Sequence, residues 1–218
     1  MKTMMKKEVR PAQAGRPVDH QKTQQIFSAI DEILAVEGIA RLSIERIAST
    51  AKVSKVTLYR RFTNLEGVIS AYVDSFTQTA LDLPSSEEQS QGEFSLAQAF
   101  TRLGIQVVTL ISQPRVIAFD NAIAAAGPQF QGLKAQLFRH GPQSVVGQIS
   151  QMLIQARVSS SLFSHAQLAD MLFQLWKSDF YDELRFTGKM SLAPEQLEQH
   201  VANRTQFFMN LLERESGE

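Results

Sequence analysis

At 218 residues, 44% apolar and 20% charged, the chain can build one large domain or two small ones around a sizeable core. It has no cysteine, which excludes disulfides and thiolate metal sites and fits a cytoplasmic location. Its formal net charge of zero is unevenly spread: residues 1–74 hold twelve Lys and Arg against eight Asp and Glu, residues 75–218 ten against fourteen. A basic end on an acidic body points to a polyanionic partner for the first third.

Residues 1–17 read as a flexible basic arm, with Pro11, Gly15 and Pro17 and no periodicity. Lys2, Lys6 and Lys7 precede no apolar run, which points away from a secretory signal. Ile26, Ile30, Ile33 and Leu34 follow the spacing of an amphipathic helix that Gly38 should stop. Ser43 can cap a short second helix with Ile44, Ile47 and Ala48 inward, and Ser54 a third with Leu58 and Phe62 inward. Asn64 can cap a fourth, carrying Val68, Ile69, Tyr72, Val73 and Phe76. The chain thus divides into a head at 18–64, a connecting helix at 65–82 and a body at 83–218, with a polar loop at 83–92.

In the body, Leu96 to Ile111 predicts a central helix, with Ile105 and Val108 filling its second side. A helix over 115–126 ends at Gly127-Pro128, and the next, from Phe130, should break or kink at Gly141-Pro142 before resuming through Ala156. Ser164 and Gln167 have capping-box spacing and open a long helix that Gly188 ends. Pro194 opens the last one. No alternating strand pattern occurs, so the fold class is all-α, with about nine helices. No stretch approaches the roughly 18 uninterrupted apolar residues of a membrane span.

The second and third helices form a helix-turn-helix, which lays its second helix across the major groove. Lys55, Thr57, Tyr59, Arg60 and Arg61 lie opposite the small apolar core and can reach phosphates and base edges. The run Ser43-Ile44-Glu45-Arg46-Ile47-Ala48-Ser49-Thr50-Ala51-Lys52-Val53-Ser54-Lys55-Val56-Thr57-Leu58-Tyr59-Arg60-Arg61-Phe62 resembles the DNA-binding signature of the TetR family of transcriptional regulators. The likeness extends from about Arg16 through Tyr72. It implies a homodimer with a variable C-terminal ligand-binding body. It also implies that Ser43, Ser54, Lys55, Val56, Thr57 and Tyr59 face DNA, joined by Arg46, Lys52 and Arg60. Three positions depart from the family pattern. Lys52 and Val56 stand where glycine is usual or frequent, and Leu65 where a phosphate-binding lysine is often found. Lys52 must therefore accept a left-handed or otherwise adjusted backbone, and Val56 can offer an apolar contact to a thymine methyl. Gly15-Arg16-Pro17 suggests Arg16 in a minor groove.

No catalytic constellation emerges. His20, His140, His165 and His200 are scattered and expected at the surface or at helix ends, and neither a Gly-rich phosphate loop nor a nucleophile elbow occurs. No enzyme activity, cofactor or metal is expected. Aromatic residues of the body can line an apolar cavity: Phe100, Phe119, Trp176 and Phe180 foremost, with Phe130, Phe138, Phe173 and Tyr181. Gln106, Asn121, Gln174 or Asp179 could then orient a ligand. The last two long helices are the expected dimer surface. The function expected is a homodimeric repressor released from a palindromic double-stranded operator by a small apolar or amphipathic effector. An activator using the same head, and a helix-turn-helix interaction protein that no longer reads DNA, are the alternatives.

Overall fold

A computed structural model describes residues 20–77 and 95–216, and every regular element among them is helical. Helix α1 (His20–Val36) buries Ile26, Ala29, Ile30 and Ile33. Gly38 stops it with a φ of 76°, and the Gly38 N–H donates to the Ile33 carbonyl at 3.0 Å, satisfying an acceptor at the helix end. A 3-10 turn at Ile39–Arg41 leads into α2 (Ile44–Thr50), α3 (Lys55–Phe62) and α4 (Leu65–Thr77). The three expected caps are in place. Ser43 Oγ accepts from the Arg46 N–H at 3.2 Å, Ser54 Oγ from Thr57 at 3.2 Å, and Asn64 Oδ1 from Gly67 at 2.8 Å.

The body comprises α5 (Leu96–Ile111), α6 (Pro114–Ala125), α7 (Gln131–His140), α8 (Pro142–Gln155), α9 (His165–Lys177), α10 (Tyr181–Thr187) and α11 (Pro194–Ser216). Two of the helices expected from sequence are divided. Gly141-Pro142 separates α7 from α8, Pro142 taking the first helical position, where its missing N–H is no loss. The helix expected to run on to Gly188 breaks at Asp179, whose φ is 73°. Arg204 of α11 holds that break: its guanidinium pairs with the Asp179 carboxylate and its Nε donates to Ser178 Oγ at 2.9 Å. The turn carries Phe180 into the interior, where it is fully buried.

Two apolar cores result. The first joins α1–α4 to Leu110, Phe119, Ile123 and Leu133, so the head is packed directly on the body. The second lies among α5, α8, α9 and α11. There Gly104 lets α5 approach closely, since an added Cβ would stand 2.6 Å from both the Trp176 ring and Val201 Cγ1. The Trp176 indole N–H donates to Thr205 Oγ1 at 3.0 Å, and His200 Nε2 to the Trp176 carbonyl at 3.0 Å. His200 is therefore buried between α9 and α11, neither at the surface nor at a helix end as expected. The arm at 1–17 with Arg16, the end of the connecting helix at 78–82 and the loop at 83–92 lie outside the described residues, as does the side chain of Phe76.

Candidate nucleic-acid interface and cavity

Ile44, Ile47, Ala48 and Leu58 are buried, and Val53 and Phe62 close the small core that sets α2 against α3. The opposite face of α3 is open. Val56 is 73% and Tyr59 50% exposed, and Lys52, Ser54, Lys55 and Arg60 are exposed beside them. Lys55–Tyr59 and Val56–Arg60 are i, i+4 neighbours, so these groups form one patch. Thr57 is half-buried, its hydroxyl 2.9 Å from Ser54 Oγ. Arg61 belongs elsewhere: its Nη1 donates to Thr23 Oγ1 at 2.6 Å, tying α3 back to α1.

The turn between α2 and α3 places Lys52 at a φ of 55°, the left-handed backbone that a missing glycine demands. Leu65 packs against the head core instead of reaching outward. Arg46 and Lys55 of the head carry carboxylate partners. Arg46 Nε donates to both Glu37 oxygens at 2.9 and 3.1 Å, and Lys55 Nζ to Glu45 Oε1 at 3.0 Å. The Lys55 ammonium holds the Glu45 carboxyl below its usual range.

A cavity of about 410 Å³ lies in the body against α4. Phe119, Phe138, Phe173 and Tyr181 line it, together with Val73, Leu110, Ile123, Leu137 and Val145. Its polar groups are Asp120, Lys134, His140 and Tyr181. The Tyr181 hydroxyl donates to Asp120 Oδ2 at 3.3 Å, and Arg185 Nε stands 3.4 Å from the same oxygen. Burial, with Asp120 nearby, pushes the Tyr181 hydroxyl pKa well up. Lys134 Nζ donates to the carbonyls of Ala126 at 2.7 Å and Ala124 at 3.3 Å, at the end of α6. The Lys177 ammonium lies 4.5 Å from the centre of the Phe173 ring, and burial lowers its pKa.

Of the four aromatics placed foremost by sequence, Phe119 lines this cavity, whereas Phe100, Trp176 and Phe180 fill the second core. Of the polar candidates, Gln106 lines a separate groove between α5 and α11. Asn121 bonds to Arg185, Gln174 to Asp170, and Asp179 to Arg204. Asp120 and Lys134 carry no sequence signal of their own. Helical register puts Asp120 next to Phe119, but only the position of α10 turns it into a partner of Tyr181.

Between cavity and head stands Tyr72 of α4. Its ring meets Phe119 with centroids 5.5 Å apart, and its hydroxyl donates to Asp31 of α1. Arg115 of α6 completes the group: Nε is 3.0 Å from Asp31 Oδ1, and the guanidinium lies 4.6 Å from the Tyr72 ring centre.

The model of bacterial regulatory proteins of the tetR family matches residues 26–72, and that of the AefR-like transcriptional repressor C-terminal domain matches residues 98–211. The chain is 40% identical over 68 residues to YdeS of Bacillus subtilis, an uncharacterised HTH-type transcriptional regulator. That match spans 31% of this chain and 33% of the relative's length. Among solved structures, the flavonoid-responsive regulator FrrA is similar at a TM-score of 0.67 and 23% identity, over 88% of this chain and 97% of that one. NalD of Pseudomonas aeruginosa, the secondary repressor of the MexAB-OprM multidrug efflux pump, is similar at a TM-score of 0.63 and 14% identity, over 87% and 96%. At these identities the structural likenesses establish a common fold.

Proposed function

The chain belongs to the TetR family of bacterial regulatory proteins, and from that premise we propose that it is a homodimeric repressor released from its operator by an apolar or amphipathic small molecule. The operator is read by the exposed face of α3, with Lys55, Val56, Thr57 and Tyr59 toward the groove. Ser43, Arg46, Lys52, Ser54 and Arg60 stand beside them toward the phosphates. A palindromic site suits two such heads about 34–36 Å apart.

The observation that carries the regulatory part is the position of Tyr72. One side chain touches a ring of the cavity wall and bonds to α1 of the head. An effector that displaces Phe119 acts on α4 and α1 together. It shifts the equilibrium only as far as it prefers one head position to the other. The apolar walls suit an apolar body, and Asp120, Lys134 and Tyr181 suit one polar end.

The dimer surface is assigned to α9 and α11. Met171, Phe207 and Leu211 are exposed along the groove between them, with Phe163 at its end, and large exposed apolar side chains gathered in one place favour a partner surface. The test is a gel shift with DNA upstream of the protein's own and neighbouring genes. A sequence-selective shift, lost in the Lys55→Ala/Tyr59→Ala double variant and reversed by a compound that binds the cavity, is the expected result. Normal operator affinity in the double variant overturns the assignment of α3.

A further inference from the structure

The carboxylates of the reading head differ in how they hold their cations. Glu37 makes a forked contact with Arg46 and braces the end of α1 against α2. Glu45 instead lies in the first turn of α2, two residues past the Ser43 cap, and makes a single contact through Oε1 to Lys55 Nζ. The two side chains are 59% and 55% exposed, so the pair contributes little to folding. Its lysine is the first residue of α3 and belongs to the face assigned to DNA. Lys52 and Arg60, on the same face, are in no ion pair among the described residues. One cation of the reading surface is therefore neutralised by a partner that is easily exchanged.

We propose that Glu45 is a specificity-determining residue, which occupies Lys55 until a correctly placed acceptor of the operator replaces the carboxylate. The inference rests on the reading of α3 as the DNA-facing helix. On arbitrary duplex nearly all affinity comes from phosphate neutralisation and counterion release. There Lys55 must give up Glu45 for a phosphate, and the carboxylate left behind repels the backbone. On the operator, base-edge acceptors such as guanine O6 and N7 receive the ammonium in the major groove and offset the exchange. Glu45 thus weakens indiscriminate binding more than specific binding.

The experiment measures full-length protein on a random-sequence duplex by fluorescence anisotropy over a range of salt concentrations. It compares wild type, Glu45→Gln, Lys55→Ala and the double variant, each checked for an unchanged melting temperature. The expected result is about 3- to 10-fold tighter binding by Glu45→Gln at low salt, with a salt slope steeper by about 0.9. The gain should disappear in the Lys55→Ala background. An unchanged affinity and slope, or an equal gain with and without Lys55, overturns the proposal; so does weaker binding with lowered melting, which would make Glu45 a brace. Salt-dependent duplex binding by wild type beside a silent Glu45→Gln overturns this inference alone. Absence of duplex binding by wild type overturns the DNA-reading assignment and this inference with it.

Discussion

The Phe119 and Tyr72 rings meet at 5.5 Å with a 52° tilt, so the cavity wall and the helix leaving the head share one aromatic contact. Burial and the bond to Asp31 push the Tyr72 hydroxyl pKa far up, and it remains a donor throughout the physiological range. The two residues join the first core to the cavity without a polar gap.

Tyr72→Phe keeps the ring contact and removes the donor to Asp31. A lost hydrogen bond to a charged acceptor costs about 1.5–3 kcal/mol, so melting should fall by several degrees with the helical circular dichroism unchanged. Because the bond to Asp31 is the link from α4 to α1, operator binding should persist while its reversal by effector weakens. Full reversal in this variant places the transmission elsewhere.

Leu137→Trp should fill part of the cavity, because Leu137 lines it from α7. Titration with 1-anilinonaphthalene-8-sulfonate, an apolar body with an anionic end, should give saturable fluorescence in wild type and markedly weaker binding in the variant. Equal binding by both would place the dye outside the cavity.

Lys52→Gly relieves a left-handed lysine, and the glycine's extra freedom in the unfolded chain offsets part of the gain. The net effect is a stabilisation of about 0.5 kcal/mol. The same change deletes a cation from the proposed reading surface and should flatten the salt slope of DNA binding by about 0.9. Higher melting together with weaker, less salt-sensitive binding is the expected pair of results. An unaltered slope would remove Lys52 from the phosphate contacts.

Thr205→Val keeps the shape of a fully buried side chain but deprives the Trp176 indole of its acceptor. An unsatisfied buried donor costs about 1–3 kcal/mol. Urea unfolding should show a lower midpoint with an unchanged m-value.

His200 adds a pH dependence. Burial, with Arg204 nearby, depresses its folded pKa below the ordinary value of 6.5, although its bond to the Trp176 carbonyl and the Asp179 charge oppose the shift. Between the depressed value and 6.5 the unfolded chain binds a proton that the folded chain does not. Stability from this group is therefore complete above 6.5 and declines as pH falls through that window. Melting curves of wild type and His200→Gln from about pH 7.5 to 5 should converge at the acid end. A gap that stays constant with pH excludes His200 as the cause.

Much of the head was legible because its signals are local. The Ser43, Ser54 and Asn64 caps each act on an N–H three residues on, and Gly38 and Gly141-Pro142 end helices through their own backbone chemistry. The cavity was legible only as a region. Phe100, Phe119 and Trp176 lie on buried faces of body helices and Phe180 is buried in the turn before α10, and periodicity alone does not separate a ring facing a void from one facing a neighbour.

By itself, then, the sequence determined the all-helical class, the helix-turn-helix, the exposed face of its second helix and most of the breaks. Tertiary structure alone decided the turn at Asp179, the burial of His200, the cavity wall and the partners of the charged groups. The reason is distance along the chain. A cap bond closes within a single turn, whereas Lys55–Glu45, Asp179–Arg204 and Asp31–Arg115 span 10, 25 and 84 residues. Such pairs exist only once the crossing of whole helices, driven by burial of their apolar faces, has brought the polar atoms together.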